Sequence, residues 1–316
     1  MDTSRFISHH TIQEGLFKGV LSVNYNILSH LKINRNSIIL KDLIRLIYDD
    51  LKEMNFIIKK TDRLHDEEGN NVPGMIVLNT YDRKDGGTIF LNKNYPKPMI
   101  LEALFHEYAH IKDDSLPILP MDKNVANYKA LYNKSYLRFI EFQVDMIAFT
   151  LMMPPEKIWA DLIEVAYDID KILDKYKEFD KRSVLKWLSL IDSRFPCHFS
   201  CILLDKNHNN EIIQRNISDS YVYDHTNDPQ PFDILAVLSN NDSAAATASC
   251  LKRPESVNKA TNINGVEYYC FAYYETNLSR ETMGDNIPGI TSISYDRLLV
   301  IGWKKADYDL IQMYKQ

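Results

Sequence analysis

Residues 106–110 of this chain read His-Glu-Tyr-Ala-His, and residues 139–153 read Phe-Ile-Glu-Phe-Gln-Val-Asp-Met-Ile-Ala-Phe-Thr-Leu-Met-Met. The apolar spacing around the first stretch predicts a helix from about Pro98 to about Asp113, because a proline suits the first turn of a helix. The second stretch predicts a helix from about Tyr136 to Met153. This helix is apolar around most of its circumference, which is typical of a buried helix.

The spacing of the two histidines favours a metal site. Residues four apart on a helix differ by about 40° around its axis, so the imidazoles of His106 and His110 project from one face and can bind one ion. Glu107 lies about 100° away from His106, close enough to reach a water on that ion without being a ligand. This H-E-x-x-H arrangement is typical of zinc hydrolases, in which the glutamate is the general base.

Two carboxylates, Glu141 and Asp145, interrupt the apolar helix one turn apart. An unpaired buried carboxylate is costly or takes up a proton, and a metal ion removes that problem. Two histidines, one glutamate and an open position are a ligand set of catalytic zinc, so we predict Glu141 as the third ligand. Asp145 is then expected to accept the remaining ring proton of one ligand histidine. The alternative is that both carboxylates form salt bridges with Arg138 or surface lysines on a half-exposed helix.

Shorter elements precede these two helices. Residues 40–54 show the helical spacing of apolar side chains. Residues 75–78 and 88–91 form two β-type runs, joined by a polar loop of hairpin character that ends in two glycines. We expect the run Thr88–Leu91 to be an edge strand that pairs with an extended substrate.

Composition narrows the function classes. The 316 residues carry 37 basic and 43 acidic side chains, and this net charge of −6 argues against direct nucleic-acid binding through a broad basic face. Charges break the longest apolar stretches well short of the roughly 18 residues that span a bilayer, so no membrane partner is expected. The N-terminus shows no signal pattern, and four cysteines are too few for a disulfide framework. We therefore expect a cytoplasmic protein.

Two weaker signals have competing interpretations. Cys197, His198 and Cys201 look like a fragment of a metal site, but their alternating polarity favours a strand with buried thiols. The cations between Lys171 and Lys186 lie in helical sequence and are interleaved with acidic residues. A solvated helix face is favoured over a DNA-recognition helix for these cations.

Three features together resemble the ImmA/IrrE family of metallopeptidases: the β-run of residues 87–92, the helix that contains residues 106–110, and the segment 141–154. That segment matches the family's E-x-x-A-[ND]-x-F-A-x-x-L-L-M-P signature at Glu141, Asp145, Ala148, Leu151, Met153 and Pro154. The resemblance covers about residues 40 to 155. It implies a zincin-like fold, zinc bound by the two histidines and Glu141, and Glu107 as the base. It also implies cleavage of transcriptional repressors, often of helix-turn-helix type.

The expected fold class is α+β. We predict a zincin-like metallopeptidase domain over residues 1–155, made of a small sheet plus the active-site helices. A helical linker over residues 156–194 and a smaller α+β domain over residues 195–316 follow it. A branch of the family carries a C-terminal GAF-like sensor domain, and this resemblance implies a sensor or regulatory role for the last domain.

The sequence thus predicts a zinc-dependent endopeptidase that hydrolyses a peptide bond in a protein substrate. A helix-turn-helix repressor is the implied substrate. The alternative is a regulatory or sensor protein that binds zinc but is not itself proteolytic or needs a partner. Separate assays of metal content and of cleavage distinguish the two hypotheses.

Overall fold

The structure is a computed structural model that describes residues 19–33, 39–65, 69, 71–80, 82–113, 134–191, 197–205, 212–216, 255–263, 265–283 and 290–313. The chain divides into two compact units, Met1–Ile158 and Trp159–Gln316. The helices that follow residue 158 belong to the second unit, and the three-part division expected from the sequence stays a prediction.

The first unit combines helices with a small sheet. Its described elements, in chain order, are α1 (19–30), α2 (Leu40–Glu53), β1 (Phe56–Thr61), β2 (Gly74–Leu78), a 3-10 turn (Arg83–Asp85), β3 (Gly87–Asn92), α3 (Lys97–Lys112) and α4 (Lys134–Met152). Helices α2, α3 and α4 and strands β2 and β3 are confirmed close to their predicted limits.

Strand β3 is the central strand of this sheet, whose order is β1-β3-β2. It pairs in parallel with β1 and antiparallel with β2. The hairpin character of β2 and β3 is therefore confirmed, whereas the expectation that Thr88–Leu91 is an edge strand is wrong. The strand that covers its second edge, β1, carries Lys59 and Lys60 and buries only Phe56, so its sequence lacks the apolar alternation of a half-buried strand.

Helices α3 and α4 pack against each other, and α3 also lies against β2 and β3. Pro98 stands in the first turn of α3, where a missing N–H leaves no hydrogen bond unmade. At the other end of α3, the guanidinium of Arg83 donates a hydrogen bond to the backbone carbonyl of Asp113. Val144 and Ile147 of α4 are fully buried, which confirms α4 as a buried helix.

The second unit is built on a five-stranded sheet. Helix α5 (Pro155–Glu164) crosses the division between the units. The described elements that follow are α6 (Ile169–Lys175), α7 (Lys181–Ile191), β4 (Cys197–Asp205), β5 (Ile212–Asn216), β6 (Glu255–Ile263), β7 (Val266–Met283), β8 (Ile290–Lys304) and α8 (Lys305–Met313). The strand order is β5-β4-β8-β7-β6, and every neighbouring pair is antiparallel. Helix α7 packs on β4 and β8, and α8 packs on β7 and β8.

A buried ion-pair network joins the start of α7 to this sheet. Both terminal nitrogens of Arg297 lie 3.1 Å from the carboxylate oxygens of Asp180, and its Nε lies 2.5 Å from Oε2 of Glu275. Asp180 also accepts a hydrogen bond from the backbone N–H of Arg182 in the first turn of α7. The network therefore fixes α7 over the β7–β8 pair.

The α+β fold class is confirmed. One unit combines helices with a mixed sheet, and the other combines helices with an antiparallel sheet. Over the described residues, no helix is both long enough and apolar enough to cross a membrane.

Candidate metal centre

Helix α3 directs its two histidines to the same place. The ring centroids of His106 and His110 are 4.9 Å apart with an angle of 73° between the planes, as their spacing of four residues requires. His110 is buried, and the side chain of His106 is 23% exposed. One imidazole edge therefore remains open to solvent beside α4.

Helix α4 brings Glu141 to both imidazoles. Its Oε2 lies 3.1 Å from Nε2 of His106, and its Oε1 lies 3.7 Å from Nε2 of His110. One ligand atom from each of the three residues lies within 4.8 Å of the others. The structure thus brings together the three residues that the sequence predicts as zinc ligands.

The geometry and chemistry of this cluster fit a zinc ion. Two ligands about 2.0–2.2 Å from a tetrahedral metal are separated by about 3.3–3.6 Å, and the two contacts of Glu141, 3.1 and 3.7 Å, lie just below and just above that range. Imidazole nitrogen and carboxylate oxygen are donors that zinc accepts. The side chain of Glu141 is 57% exposed, so the cluster is accessible from one side. A fourth ligand or a water has room to approach from there.

Asp145 lies one turn beyond Glu141 and contacts the other side of the His106 ring. Its Oδ1 is 2.9 Å from Nδ1 of His106. A hydrogen bond at Nδ1 leaves the lone pair of Nε2 for a metal and fixes the ring orientation. The equivalent atom of His110, Nδ1, is buried and has no hydrogen-bond partner among the described residues. Asp145 therefore orients the ring of His106, and Nδ1 of His110 has no corresponding carboxylate among the described residues.

Glu107 is buried between α3 and strand β2. The backbone N–H of Ile76 donates a hydrogen bond to its carboxylate. Burial raises the pKa of Glu107 above its ordinary value, and the nearby charges of His106 and His110 only partly oppose this rise. A carboxylate with a raised pKa is better matched to proton transfer near neutral pH than a solvated one.

The charges of the cluster hold Glu141 in its ionised form. Partial desolvation within the cluster raises the pKa of Glu141, but hydrogen bonds from His106 and His110 outweigh this effect and lower the pKa to about 2. For His106, burial lowers the pKa, yet the hydrogen bonds to Asp145 and Glu141 raise it well above 6.5. Glu141 is therefore a carboxylate at neutral pH, the form that binds metal.

Strand β2 runs along this site, and β3 pairs with only one of its two edges. The backbone N–H of Asn79 bonds to Gly86, and the carbonyl of Pro73 accepts from Asn92. Because hydrogen-bonded positions alternate along an antiparallel pair, the backbone groups of Gly74, Ile76 and Leu78 point away from β3. This outward edge of β2 includes the Ile76 amide that bonds to Glu107.

Sequence reasoning missed two contributors to the site, both in β2. A backbone amide such as that of Ile76 has no sequence signature. Gly74 does have one, since a glycine in a strand often marks a close approach of two segments. A Cβ built on Gly74 would lie 2.7 Å from the Cβ of Ala103 on α3 and 3.5 Å from Oε1 of Glu107.

The two weaker sequence signals, the segment with Cys197, His198 and Cys201 and the cations between Lys171 and Lys186, lie in the second unit. Cys197 is buried in strand β4, whereas the side chains of His198 and Cys201 lie outside the described part of the structure. Lys175 contacts Asp161 at 2.9 Å and Glu164 at 2.7 Å, and Lys171 contacts Asp168 at 3.2 Å. These lysines of α6 are thus paired with acidic side chains.

The side chain of Arg138, the alternative partner of Glu141, also lies outside the described residues.

No protein-family model matches the chain, and no curated protein matches it. Among solved structures, the chain is similar to a Mycobacterium tuberculosis transcriptional regulator, with a TM-score of 0.55 and 13% sequence identity. The match covers 91% of this chain and 76% of that protein. At this identity the likeness shows a shared fold alone.

Proposed function

We propose that the chain is a zinc-dependent peptidase whose first unit is a zincin-like domain of the ImmA/IrrE type. The observation that carries this proposal is the convergence of His106, His110 and Glu141 within 4.8 Å, from two separate helices. Glu107, next to the first ligand in sequence, is buried at the same site. The raised pKa of Glu107 beside this cluster supports the proposal, because groups with shifted pKa values are concentrated at functional sites.

Each residue has a defined task in peptide hydrolysis. A bound zinc ion supplies a Lewis acid that polarises a carbonyl and lowers the pKa of water. Glu107 accepts a proton from the attacking water and passes it to the leaving amine. Asp145 keeps the His106 ring in the orientation and tautomer that a ligand needs. The amide of Ile76 holds the carboxylate of Glu107 in place.

The proposed substrate is an extended segment of a protein, with a helix-turn-helix repressor as the implied example. The outward edge of β2, rather than β3, is the edge to which we assign pairing with an extended substrate. An extended peptide adds to a sheet through main-chain hydrogen bonds, and β2 offers outward backbone groups at Gly74 and Leu78 and the carbonyl of Ile76. Because Glu107 is bonded to the same edge, a peptide paired there would lie next to the base.

The second unit is proposed to be a regulatory or sensor module, as the resemblance to the GAF-bearing branch of the family implies. A five-stranded antiparallel sheet with helices packed on it supports a separate α+β module. The sparse cysteines favour a cytoplasmic setting for the whole protein.

The test uses two substitutions, each with a control on the same helix. We expect Glu107→Gln to retain zinc and to lose cleavage of a proteome-derived peptide library, read out as new N-termini by mass spectrometry. Its control, Glu102→Gln, should cleave normally. We expect Glu141→Ala to lose most of the metal, whereas Gln143→Ala should keep it. Full turnover by Glu107→Gln would exclude the proposed base.

A regulatory protein that binds zinc without intrinsic proteolysis is the second candidate, and the separate α+β unit that follows the metal site is compatible with such a role. This candidate has the same zinc site as the proposed peptidase but does not itself cleave peptide bonds. Zinc bound in a one-to-one ratio, together with no cleavage of the peptide library or of any candidate repressor, with or without a partner protein, would select it over the peptidase.

A further inference from the structure

Behind the metal site, a single buried carboxylate contacts three donors. Oδ2 of Asp50, on α2, accepts a hydrogen bond of 2.7 Å from the hydroxyl of Tyr108 and lies 3.0 Å from Nζ of Lys112. Its Oδ1 lies 2.6 Å from Nε2 of His30, at the end of α1. The side chain of Asp50 is only 5% exposed, so these contacts replace almost all of its hydration.

Two of the three donors belong to α3, the helix that carries the histidines. Tyr108 stands two residues after His106, about 200° around the helix, and Lys112 stands one turn beyond Tyr108. Both therefore lie on the side of α3 opposite to His106 and His110. Helix α3 is thus bonded on one side to Asp145 and Glu141, and on the other side to Asp50.

These contacts restrain α3 in a way that apolar packing does not. Burial of Phe105 and Ile111 is favourable but non-directional, so it tolerates small rotations of the helix. A hydrogen bond and an ion pair to one fixed carboxylate weaken steeply when the geometry changes. A rotation of about 10° displaces a side-chain group about 6 Å from the helix axis by about 1 Å, which exceeds the tolerance of a metal site.

The geometry points to Asp50 as a positioning residue for the metal centre: through Tyr108 and Lys112 it sets the rotation of α3, and thereby the places of His106 and His110. This inference rests on the proposed zinc site and adds a residue that touches neither the metal nor the substrate. It also assigns a role to the polar face of α3, which the peptidase chemistry leaves unused.

The test titrates the full chain, freed of metal, with zinc chloride and separately with cobalt chloride. Asp50→Asn keeps the size of the side chain and removes its charge. Tyr108→Phe removes only one hydroxyl and serves as the milder variant. Ile47→Val is the matched control, because it loosens α2 in the same core without altering a contact of Asp50. Thermal unfolding of each variant measures the loss of stability separately.

We expect Asp50→Asn to bind zinc about tenfold more weakly, at the low end of effects seen for groups that orient metal ligands. The visible absorption of its cobalt form should change, since that spectrum reports the ligand geometry. Tyr108→Phe should change both in the same direction, and Ile47→Val should leave both as in the wild type. If Asp50→Asn does not fold, Tyr108→Phe decides the matter.

Wild-type zinc affinity and an unchanged cobalt spectrum in the folded polar variants would overturn the inference while leaving the zinc site intact. Equal losses of affinity in Ile47→Val would also overturn it, because they would show a general effect of stability. Absence of metal binding by the wild type would instead contradict the proposed function, and the positioning role with it.

Discussion

Nδ1 of His106 lies 2.9 Å from Oδ1 of Asp145, while Nε2 of the same ring lies 3.1 Å from Oε2 of Glu141. One imidazole is therefore held between two carboxylates that stand one turn apart on α4. In the proposed zinc site, the carboxylate at Nδ1 orients the ring and the carboxylate at Nε2 is a metal ligand. On this proposal, the division of roles within a single helical turn accounts for the two acidic residues that interrupt an otherwise apolar helix.

Asp145→Asn should weaken zinc binding by about 10- to 100-fold, because the amide no longer offers His106 a charged acceptor. The measurement is a zinc titration against a competing chelator at neutral pH. Asp49→Asn, at an exposed position on α2, is the control and should bind zinc normally. Unchanged affinity in Asp145→Asn would show that the contact does not orient the ligand.

Gly74→Ala should impair cleavage while zinc binding persists. The added Cβ would stand 2.7 Å from the Cβ of Ala103, so β2 must move away from α3 and from Glu107. The proposed ligands lie on α3 and α4, and they should be disturbed less than the proposed base, Glu107. Peptide cleavage and zinc content measured on the same preparation check this expectation.

The double variant Gly74→Ala/Ala103→Gly tests the cause. Removal of the Ala103 methyl restores the space, so cleavage should recover in part, although a glycine within a helix costs about 1 kcal/mol of stability. No recovery would mean that the close approach of β2 to α3 is not what Gly74 provides.

Much of the geometry of this candidate site could be predicted from the sequence, because the proposed ligands lie on regular helices. Histidines four apart share a helix face whatever the surroundings, and a carboxylate in an apolar helix calls for a partner. Strand β1 could not be predicted, since Lys59 and Lys60 interrupt the apolar alternation typical of a half-buried strand. Its partner β3 is also distant in sequence.

Helix α1 was missed for a related reason. Its buried side chains recur at helical spacing, but Asn24 occupies one of those positions and breaks the apolar pattern. The structure shows a partial compensation, because Nδ2 of Asn24 donates a hydrogen bond of 3.4 Å to the backbone carbonyl of Ile147 on α4. Polar groups paired across the fold, such as Asn24 and Asp50, are visible only once their partners are in place.

The second unit should show an acid-dependent loss of stability that is traceable to Asp180. Burial raises the pKa of this carboxyl, but the charge of Arg297 outweighs burial and holds the pKa below its ordinary value of 3.8. A group whose pKa is lower in the folded chain stabilises it fully above the unfolded value, and that contribution disappears as the pH falls through the folded value.

Asp180→Asn should therefore lower the free energy of unfolding by about 3 kcal/mol at pH 7, because it removes one charge of a buried pair. The difference from the wild type should shrink below about pH 4. Tryptophan fluorescence is a suitable probe, since all three tryptophans, Trp159, Trp187 and Trp303, belong to the second unit. Asp174→Asn, at an exposed position on α6, should show no such difference. A penalty that stays constant with pH would contradict the assignment to ionised Asp180.

The most direct test of the metal centre is a crystal structure of the zinc-loaded protein, with anomalous diffraction recorded on both sides of the zinc absorption edge. We predict one strong anomalous peak about 2.0–2.2 Å from a ring nitrogen of His106, a ring nitrogen of His110 and a carboxylate oxygen of Glu141. A peak bound elsewhere in the chain, or no peak at these three residues after zinc loading, would contradict the account.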